Sequence, residues 1–243
     1  MLKDIKIWPV SNEPGRVIIL CPGKFMIANQ HWLERWQQNR IAFHEAAVNR
    51  YLQQYLAQFS LAPGAALFLP LCGKAHDIAW LAQQGFAVTG IELSALAIEA
   101  FFEEHSLSYQ TFESDRFILR KAGNISLYEG DFFDLRSEDI GECALVYDRA
   151  ALIAVDDSQR TNYCEHLLSI IPRSSNMLLI TLEYNQPEME GPPYAISSDD
   201  VWQLYKRKFS IELLERKEIL DERPRWREQG MKSLSELVFR LHR

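Results

Sequence analysis

The sequence predicts an α/β protein with a doubly wound, mostly parallel β-sheet that carries an antiparallel edge. From residue 65 onward, short apolar runs of the length of a buried strand alternate with segments of helical periodicity. This alternation is typical of parallel strands joined by crossover helices. Near the end of the chain, strand-like runs at residues 211–219 and 235–241 follow one another without a helix between them. These two runs therefore predict antiparallel pairing at one edge of the sheet.

The residues before this repeating pattern fall into two parts. Residues 5–10 and 17–21 show short extended patterns, and residues 1–30 are interpreted as an N-terminal extension. Residues 31–62 are interpreted as an N-terminal segment that ends in a helix. No change in composition divides the chain beyond residue 30, so residues 31–243 are predicted to form one domain.

The elements of the repeating unit follow from periodicity. Short apolar runs predict buried parallel strands. These runs lie at residues 65–71, 87–93, 125–129, 144–147 and 177–184. Apolar residues at helical spacing predict the helices. The helical segments lie at residues 46–59, 76–84, 95–104, 159–171 and 198–208.

Composition restricts the classes of function. The 243 residues include 33 acidic and 26 basic ones, for a formal net charge of -7. Binding a nucleic acid requires a basic face, so no nucleic-acid partner is expected. The four cysteines are scattered, His44 and His76 are interpreted as structural, and no metal site is predicted. Without a leader-like or membrane-spanning apolar run, a cytoplasmic monomer with no membrane partner is expected.

Polar residues follow the predicted strands at the sheet edge where ligands of doubly wound proteins bind. The turn after the first strand contains one glycine, Gly73, so the Gly-x-Gly-x-x-Gly sequence of dinucleotide enzymes is absent. The second strand ends at Glu92, about 20 residues farther on, where a carboxylate can accept hydrogen bonds from both ribose hydroxyls. An interaction of Glu92 with the start of the next helix is the alternative.

Two further strand ends carry residues suited to an adenosyl ligand and its reaction. Asp131 and Phe132 follow the third strand. The carboxylate can accept from an adenine amine and the ring can pack on its face, although Phe132 could instead belong to the core. Asp148 and Arg149 follow the fourth strand, where the reactive centre is expected, with a structural salt bridge as the alternative.

Several motifs occur together and in order along the chain. They are residues 68–74 (FLPLCGK), 90–94 (GIELS), 124–128 (NISLY), 148–152 (DRAAL) and 191–194 (GPPY). Trp32-x-x-x-Trp36 and the Ala42-Phe43-His44 triplet precede them. With these motifs the chain resembles the thiopurine S-methyltransferase family from about residue 31 to its end. The resemblance implies a Rossmann-like class I methyltransferase fold, a seven-stranded sheet and a pocket for S-adenosyl-L-methionine.

The resemblance also implies roles for particular residues. Cofactor binding is implied for Trp32, Trp36, Leu71, Gly73, Glu92, Asp131, Phe132 and Arg149. Acceptor binding is implied for Phe43, Arg149 and Arg223. Trp32, Trp36 and Phe43 would together form a lid over both ligands. The first thirty residues depart from the family pattern, so the resemblance implies nothing about them.

Catalysis is assigned to Asp148, Arg149 and Arg223. The two arginines are expected to favour the anionic form of the acceptor through charge-assisted hydrogen bonds. Asp148 is expected to orient Arg149 rather than to act as a base, because an ordinary carboxylate is a weak base near neutral pH.

The predicted function is methyl transfer from S-adenosyl-L-methionine to the sulfur or selenium of a small aromatic or heterocyclic thiol, such as a thiopurine. A halide, thiol or chalcogen methyltransferase on the same fold is the alternative, because acceptor identity depends on pocket shape. A nicotinamide-dependent oxidoreductase would also use Glu92, but the single-glycine turn argues against it. The joint presence of Glu92, Asp131 and Arg149 argues against a non-catalytic binding module.

Overall fold

The computed structural model describes residues 26–41 and 43–243. The strand-like runs expected at residues 5–10 and 17–21 lie outside the described residues. Within the described ranges, one nine-stranded sheet forms the centre of the molecule and helices pack on both of its faces. The predicted fold class, an α/β protein with a doubly wound sheet and an antiparallel edge, is confirmed.

The strands occupy one continuous sheet. They are β1 (Ala66–Leu69), β2 (Ala87–Glu92), β3 (Gln110–Glu113), β4 (Ile118–Ala122), β5 (Ile125–Glu129), β6 (Leu145–Arg149), β7 (Asn176–Glu183), β8 (Ser210–Glu218) and β9 (Ser235–His242). Their order across the sheet is β3-β4-β5-β2-β1-β6-β7-β9-β8. The five central strands, β5 to β7 in that order, are parallel to one another. Strand β9 pairs antiparallel with both β7 and β8, as the two last runs predicted.

The opposite edge carries two strands beyond the seven that the family resemblance implies. Strands β3 and β4 form an antiparallel hairpin, and β4 pairs antiparallel with β5. Every residue of β3 is exposed, including Phe112 with half of its surface in solvent. A strand with no buried face lacks the alternation of apolar and polar residues that predicts strands. Its existence follows from hydrogen bonding to β4 instead.

The helices are distributed along the whole chain. They are α1 (Met26–Gln37), α2 (Arg50–Tyr55), α3 (His76–Gln83), α4 (Ala95–Glu104), α5 (Ser137–Ile140), α6 (Asp157–Ile170), α7 (Ser198–Tyr205) and α8 (Pro224–Glu228). Helices α3, α4, α6 and α7 match predicted helices to within three residues. Helix α2 begins later than predicted because Asn49 caps it, with its Oδ1 accepting from the Tyr51 and Leu52 N–H groups at 3.0 and 3.4 Å. Helix α1, which carries Trp32 and Trp36, was not predicted.

Each central strand contributes to two hydrophobic cores because successive side chains point to opposite faces of a sheet. On one face, Leu67 and Leu145 pack with residues of α2, α3 and α4. On the other, Phe68 and Val146 pack with residues of α6 and α7. Burial on both faces explains the near-continuous apolar runs of these strands. No helix in the described ranges combines the length and the apolar character that crossing a membrane requires.

Candidate active site

Polar groups from four central strands meet at the carboxyl edge of the sheet. Gly73 lies in the turn after β1, Glu92 ends β2, Asp131 follows β5 and Arg149 ends β6. The ladders β1–β2, β2–β5 and β1–β6 make these strands neighbours. The pairing of these strands therefore brings four of the sequence-predicted site residues to one edge of the sheet. Ligands of doubly wound proteins bind at this edge.

Glu92 connects the turn after β1 to the start of α4. Its Oε2 accepts a hydrogen bond from the Gly73 N–H at 2.9 Å, and its Oε1 accepts one from the Ser94 N–H at 2.8 Å. Burial raises the pKa of the Glu92 carboxyl, and the backbone hydrogen bonds oppose that rise. The hydrogen bond from Ser94, which precedes α4, is the contact with a helix start that was the alternative interpretation of Glu92. A carboxylate oxygen can accept a second hydrogen bond, so these contacts leave Glu92 with acceptor capacity for ribose hydroxyls.

The aromatic residues of the predicted lid pack over this turn. The Phe43 ring lies edge-on to Trp32 and Trp36, with ring centroids 5.4 and 5.6 Å apart. Trp36 approaches the turn so closely that a Cβ at Gly73 would lie 3.2 Å from its Cζ2. Gly73 and Leu71 both have left-handed backbone, with φ of 54° and 45°, a region that glycine adopts without strain. A side chain at position 73 would therefore strain the turn and require Trp36 to move by a few tenths of an ångström.

Asp131 is contacted by a residue that the sequence did not indicate. Its Oδ1 accepts from the Phe133 N–H at 2.9 Å, which caps the short helical turn Phe132–Asp134. Its Oδ2 accepts from Nδ2 of Asn29 at 2.6 Å. Asn29 belongs to α1, so this helix contacts both the turn after β1 and the turn after β5.

Phe132 packs in the core. It is 3% exposed, and its ring centroid lies 4.9 Å from that of Tyr163 and 5.0 Å from that of His166. Nε2 of His166 lies 3.0 Å from the Phe132 carbonyl oxygen. Core packing was the alternative interpretation of this residue, and its role at an adenine ring stays a prediction.

Asp148 does not orient Arg149, and that expectation is wrong. The Asp148 carboxyl is fully buried; Oδ1 accepts from the Leu152 N–H at 3.0 Å and Oδ2 accepts from the Tyr163 hydroxyl at 2.7 Å. Burial raises its pKa to about 6. Strand β6 extends through both residues, so their side chains point to opposite faces of the sheet.

Arg149 and Arg223 converge on one carboxylate, that of Glu45. Nη2 of Arg149 lies 2.8 Å from Glu45 Oε1, and Nη2 of Arg223 lies 3.9 Å from the same oxygen. The second oxygen, Oε2, accepts from Nδ2 of Asn49 at 3.2 Å. Glu45 was not predicted as a site residue. Arg149 is within hydrogen-bond distance of Glu45 Oε1 and Arg223 is not, but the positive charges of both lie beside the same anionic oxygen.

A buried carboxyl group supports the segment that carries Glu45. Oδ1 of Asp77 accepts from the Asn49 N–H at 2.7 Å, and its Oδ2 accepts from the Tyr147 hydroxyl at 3.2 Å. Burial raises the pKa of the Asp77 carboxyl, and the Asn49 N–H and the Arg149 charge lower it. Tyr147 lies on the same face of β6 as Arg149. Asp77 therefore ties the start of α2 to the strand that presents the arginine.

The sheet, with five parallel strands at its centre and antiparallel strands at its edges, has the fold of solved S-adenosylmethionine-dependent methyltransferases. A solved structure with this fold is the Burkholderia thailandensis 1,6-didemethyltoxoflavin-N1-methyltransferase with bound 1,6-didemethyltoxoflavin and S-adenosylhomocysteine. The two structures agree with a TM-score of 0.60 over 98% of this chain and 95% of that chain, at 12% identity. At such low identity the similarity establishes the fold alone.

The family is established by sequence comparison. The family model described as thiopurine S-methyltransferase matches residues 27–243. The thiopurine S-methyltransferase of Nitrosospira multiformis is 43% identical over 212 residues, which cover 87% of this chain and 96% of that protein. One from Pseudomonas putida is 42% identical over 212 residues, covering 87% and 98%. The chain belongs to the thiopurine S-methyltransferase family, which confirms the predicted family and the prediction of an S-adenosylmethionine-dependent enzyme.

Proposed function

We propose that the protein methylates the sulfur or selenium of a small aromatic or heterocyclic thiol, such as a thiopurine, with S-adenosyl-L-methionine as methyl donor. The observation that carries the proposal is the pair of arginines around Glu45 Oε1. A small anion at this position would accept a hydrogen bond from Arg149 and gain from the nearby charge of Arg223. A thiolate or selenolate acceptor would replace the Glu45 carboxylate there.

The residues at the sheet edge fit an adenosyl cofactor. Glu92 would accept from the ribose hydroxyls and Asp131 from the adenine amine, since a carboxylate oxygen can accept a second hydrogen bond beside the backbone partners of Glu92 and the Phe133 and Asn29 partners of Asp131. The left-handed turn at Leu71–Gly73 would bring backbone groups to the amino-acid part. Trp32 and Trp36 would cover the cofactor from α1.

Methyl transfer needs alignment more than acid–base chemistry. S-adenosylmethionine supplies a methyl group bound to a positively charged sulfur, which leaves without protonation. The arginines would lower the pKa of the acceptor thiol and hold its anion on the line of attack, and such alignment contributes about 7–11 kcal/mol. The Phe43 and Trp36 rings would keep water out. Asp148 would have a structural role and would not contact the acceptor, because its carboxyl group accepts from the Leu152 N–H and the Tyr163 hydroxyl.

Substitutions at the anion site test this proposal. Arg149→Ala should lower kcat/KM for a thiopurine acceptor about 10–100-fold, the cost of one charge-assisted hydrogen bond. Calorimetry should give a dissociation constant for S-adenosylmethionine close to that of the original protein. Glu45→Gln should lower the acceptor KM about 2–5-fold, because it removes a competing, partly exposed ion pair. Arg207→Ala, at an exposed position of the chain, is the control.

The acceptor screen separates the possible outcomes. Loss of cofactor binding in Arg149→Ala would overturn the acceptor role of this arginine. Turnover of sulfide, selenide or iodide but of no aromatic thiol would replace the proposal by its second candidate. That candidate is a halide, thiol or chalcogen methyltransferase, and it is favoured by the two arginine charges at Glu45, because a charged site binds a small anion whether or not the anion carries a ring.

A further inference from the structure

Two imidazoles and a carboxylate meet beside the lid, outside the residues used above. His44 lies between α1 and α2, His76 is the first residue of α3, and Glu104 is the last residue of α4. One donor atom from each of the three side chains lies within 4.8 Å of the other two. The rings of His44 and His76 have centroids 5.2 Å apart. Three separate elements thus direct metal-ligating atoms to one point.

A fourth residue fixes the orientation of the central ligand. Nδ1 of His76 lies 3.2 Å from Nε2 of His105, which follows α4. This contact occupies one ring nitrogen of His76 and leaves Nε2 free for another partner. Histidines that bind metals in proteins are held in this way by a hydrogen bond from their second nitrogen.

We propose that His44, His76 and Glu104 bind a divalent transition-metal ion of the zinc class. Two histidine nitrogens and one carboxylate oxygen, with a fourth position left for water, form a known type of zinc ligand set. A tetrahedral site with bonds of about 2.0–2.2 Å places its ligand atoms about 3.4 Å apart. Side-chain rotation on the order of 1 Å per ligand closes the present spacing to that value. His44 and His76 are partly exposed and Glu104 is exposed, so the ligand atoms are not sealed in the core.

Lys74 opposes the metal at this site. Its ammonium group pairs with Oε1 of Glu104, so a metal ion must take Oε2 or displace the lysine. The positive charge of Lys74 weakens metal binding in either case. Removal of that charge should therefore tighten binding, which a purely structural role of the cluster does not predict.

The position of His44 connects this site to the lid. Phe43, on one side, packs against Trp32 and Trp36, and Glu45, on the other side, pairs with Arg149. An ion held by His44 and by α3 and α4 fixes the middle of this segment. The metal therefore restrains the segment in which Phe43 packs against the lid and Glu45 pairs with Arg149.

Calorimetric titration of the untagged, chelator-treated full chain with ZnCl₂ tests the site. We expect one equivalent of zinc to bind, and one equivalent of Co²⁺ to give the absorption of tetrahedral coordination. Affinity for zinc should fall more than about 100-fold in His76→Ala and about 10–100-fold in His105→Ala. Lys74→Ala should bind zinc several-fold more tightly. His242→Ala, at an exposed histidine outside the cluster, should leave the affinity unchanged.

Each other result counts against the site. Equal zinc affinity of the original protein and His76→Ala would place the ion elsewhere, and absence of binding at millimolar zinc would exclude the site. Glu104→Gln provides a check that does not depend on a buried side chain, because Glu104 is exposed and the change is nearly isosteric. It should weaken zinc binding while the circular dichroism spectrum stays the same. Unchanged affinity in this variant would remove Glu104 from the ligand set.

Discussion

Asp148 is a carboxyl group that the fold buries completely beside the candidate site. Two hydrogen bonds, from the Leu152 N–H and the Tyr163 hydroxyl, satisfy its oxygens. They do not fully replace hydration, so burial still raises the pKa of Asp148 to about 6. The folded protein consequently binds this proton more tightly than the unfolded chain does. The protonation of Asp148 therefore contributes to the pH dependence of the unfolding free energy.

Asp148→Asn tests that dependence. A raised carboxyl pKa contributes stability at low pH that is lost as pH rises through the window from about 3 to about 7, since the folded state holds more protons there. The asparagine does not titrate, so the difference in unfolding free energy between variant and original protein should change by about 3 kcal/mol across the window. Urea unfolding at several pH values measures it. Asp199→Asn, at an exposed carboxyl, should give a curve parallel to the original, and a pH-independent difference for Asp148→Asn would contradict the assignment.

At the residue scale, the sequence predicts which side chains reach the sheet edge but not the partners they meet there. Glu92 ends an apolar strand and Asp131 follows another, and strand order alone brings them to the edge. Asn29, in contrast, lies 102 positions before Asp131, and Glu45 is similarly distant from Arg149. Both partners belong to a segment without strand periodicity. Their contacts depend on where α1 and the residues after it pack, which no local pattern specifies.

At the scale of elements, α1 and the turn after β1 form one fitted unit. Trp36 of α1 lies over Gly73, whose φ of 54° already disfavours other residues. Asn29, two turns earlier on the helix, contacts Asp131 after β5. The helix therefore contacts the turns after two strands. A substitution in the turn after β1 should change the packing of α1 through Trp36.

A double-mutant cycle between Gly73 and Trp36 measures this coupling. Gly73→Ala should lower the unfolding free energy by about 1–3 kcal/mol, from strained backbone and from the close approach to the indole. In the Trp36→Ala background the steric part disappears, so the two changes should be non-additive by about 0.5 kcal/mol or more. Gly85→Ala is the matched control, because its φ is 89° and a Cβ there meets nothing within 4 Å. Full additivity of the Gly73 and Trp36 changes would show that α1 and the turn after β1 are not energetically coupled.

Elements were predicted where burial gives the sequence an apolar pattern. They were missed, or ended too early, where hydrogen bonding to neighbouring strands determines the structure. Strands β1, β2, β5 and β7 are apolar along most of their length and were predicted. Strand β6 continues to Arg149 because Asp148 and Arg149 pair with Leu179 and Ile180 of β7, although polar residues there suggested that the strand had ended. The hairpin β3–β4 and helix α1 lack a continuous apolar face. Backbone hydrogen bonds to β5 and within the hairpin stabilise β3 and β4, and contacts with the turns after β1 and β5 stabilise α1.

At the scale of the whole molecule, the two cores and the sheet edge have separate roles. Helices α2, α3 and α4 bury one face and α6 and α7 the other, so the body of the sheet is closed to solvent. The candidate site lies at the carboxyl edge of the sheet, next to α1 and the segment after it. A cofactor bound there would join residues from β2, the turn after β5 and α1. Binding should therefore stabilise the entire fold rather than one loop.

S-adenosylhomocysteine, the unreactive product form of the cofactor, allows this to be measured without turnover. A ligand that binds only the folded protein raises the unfolding free energy by about 2.7 kcal/mol at a concentration of 100 times its dissociation constant. Urea unfolding should show this increase for the original protein and for Arg149→Ala, whose proposed partner is the acceptor. Glu92→Ala should lose most of it at the same ligand concentration, because the ribose would lose its acceptor. Equal stabilisation of all three proteins, or stabilisation by NAD in place of S-adenosylhomocysteine, would mean that this edge of the sheet is not built around Glu92 for an adenosyl group.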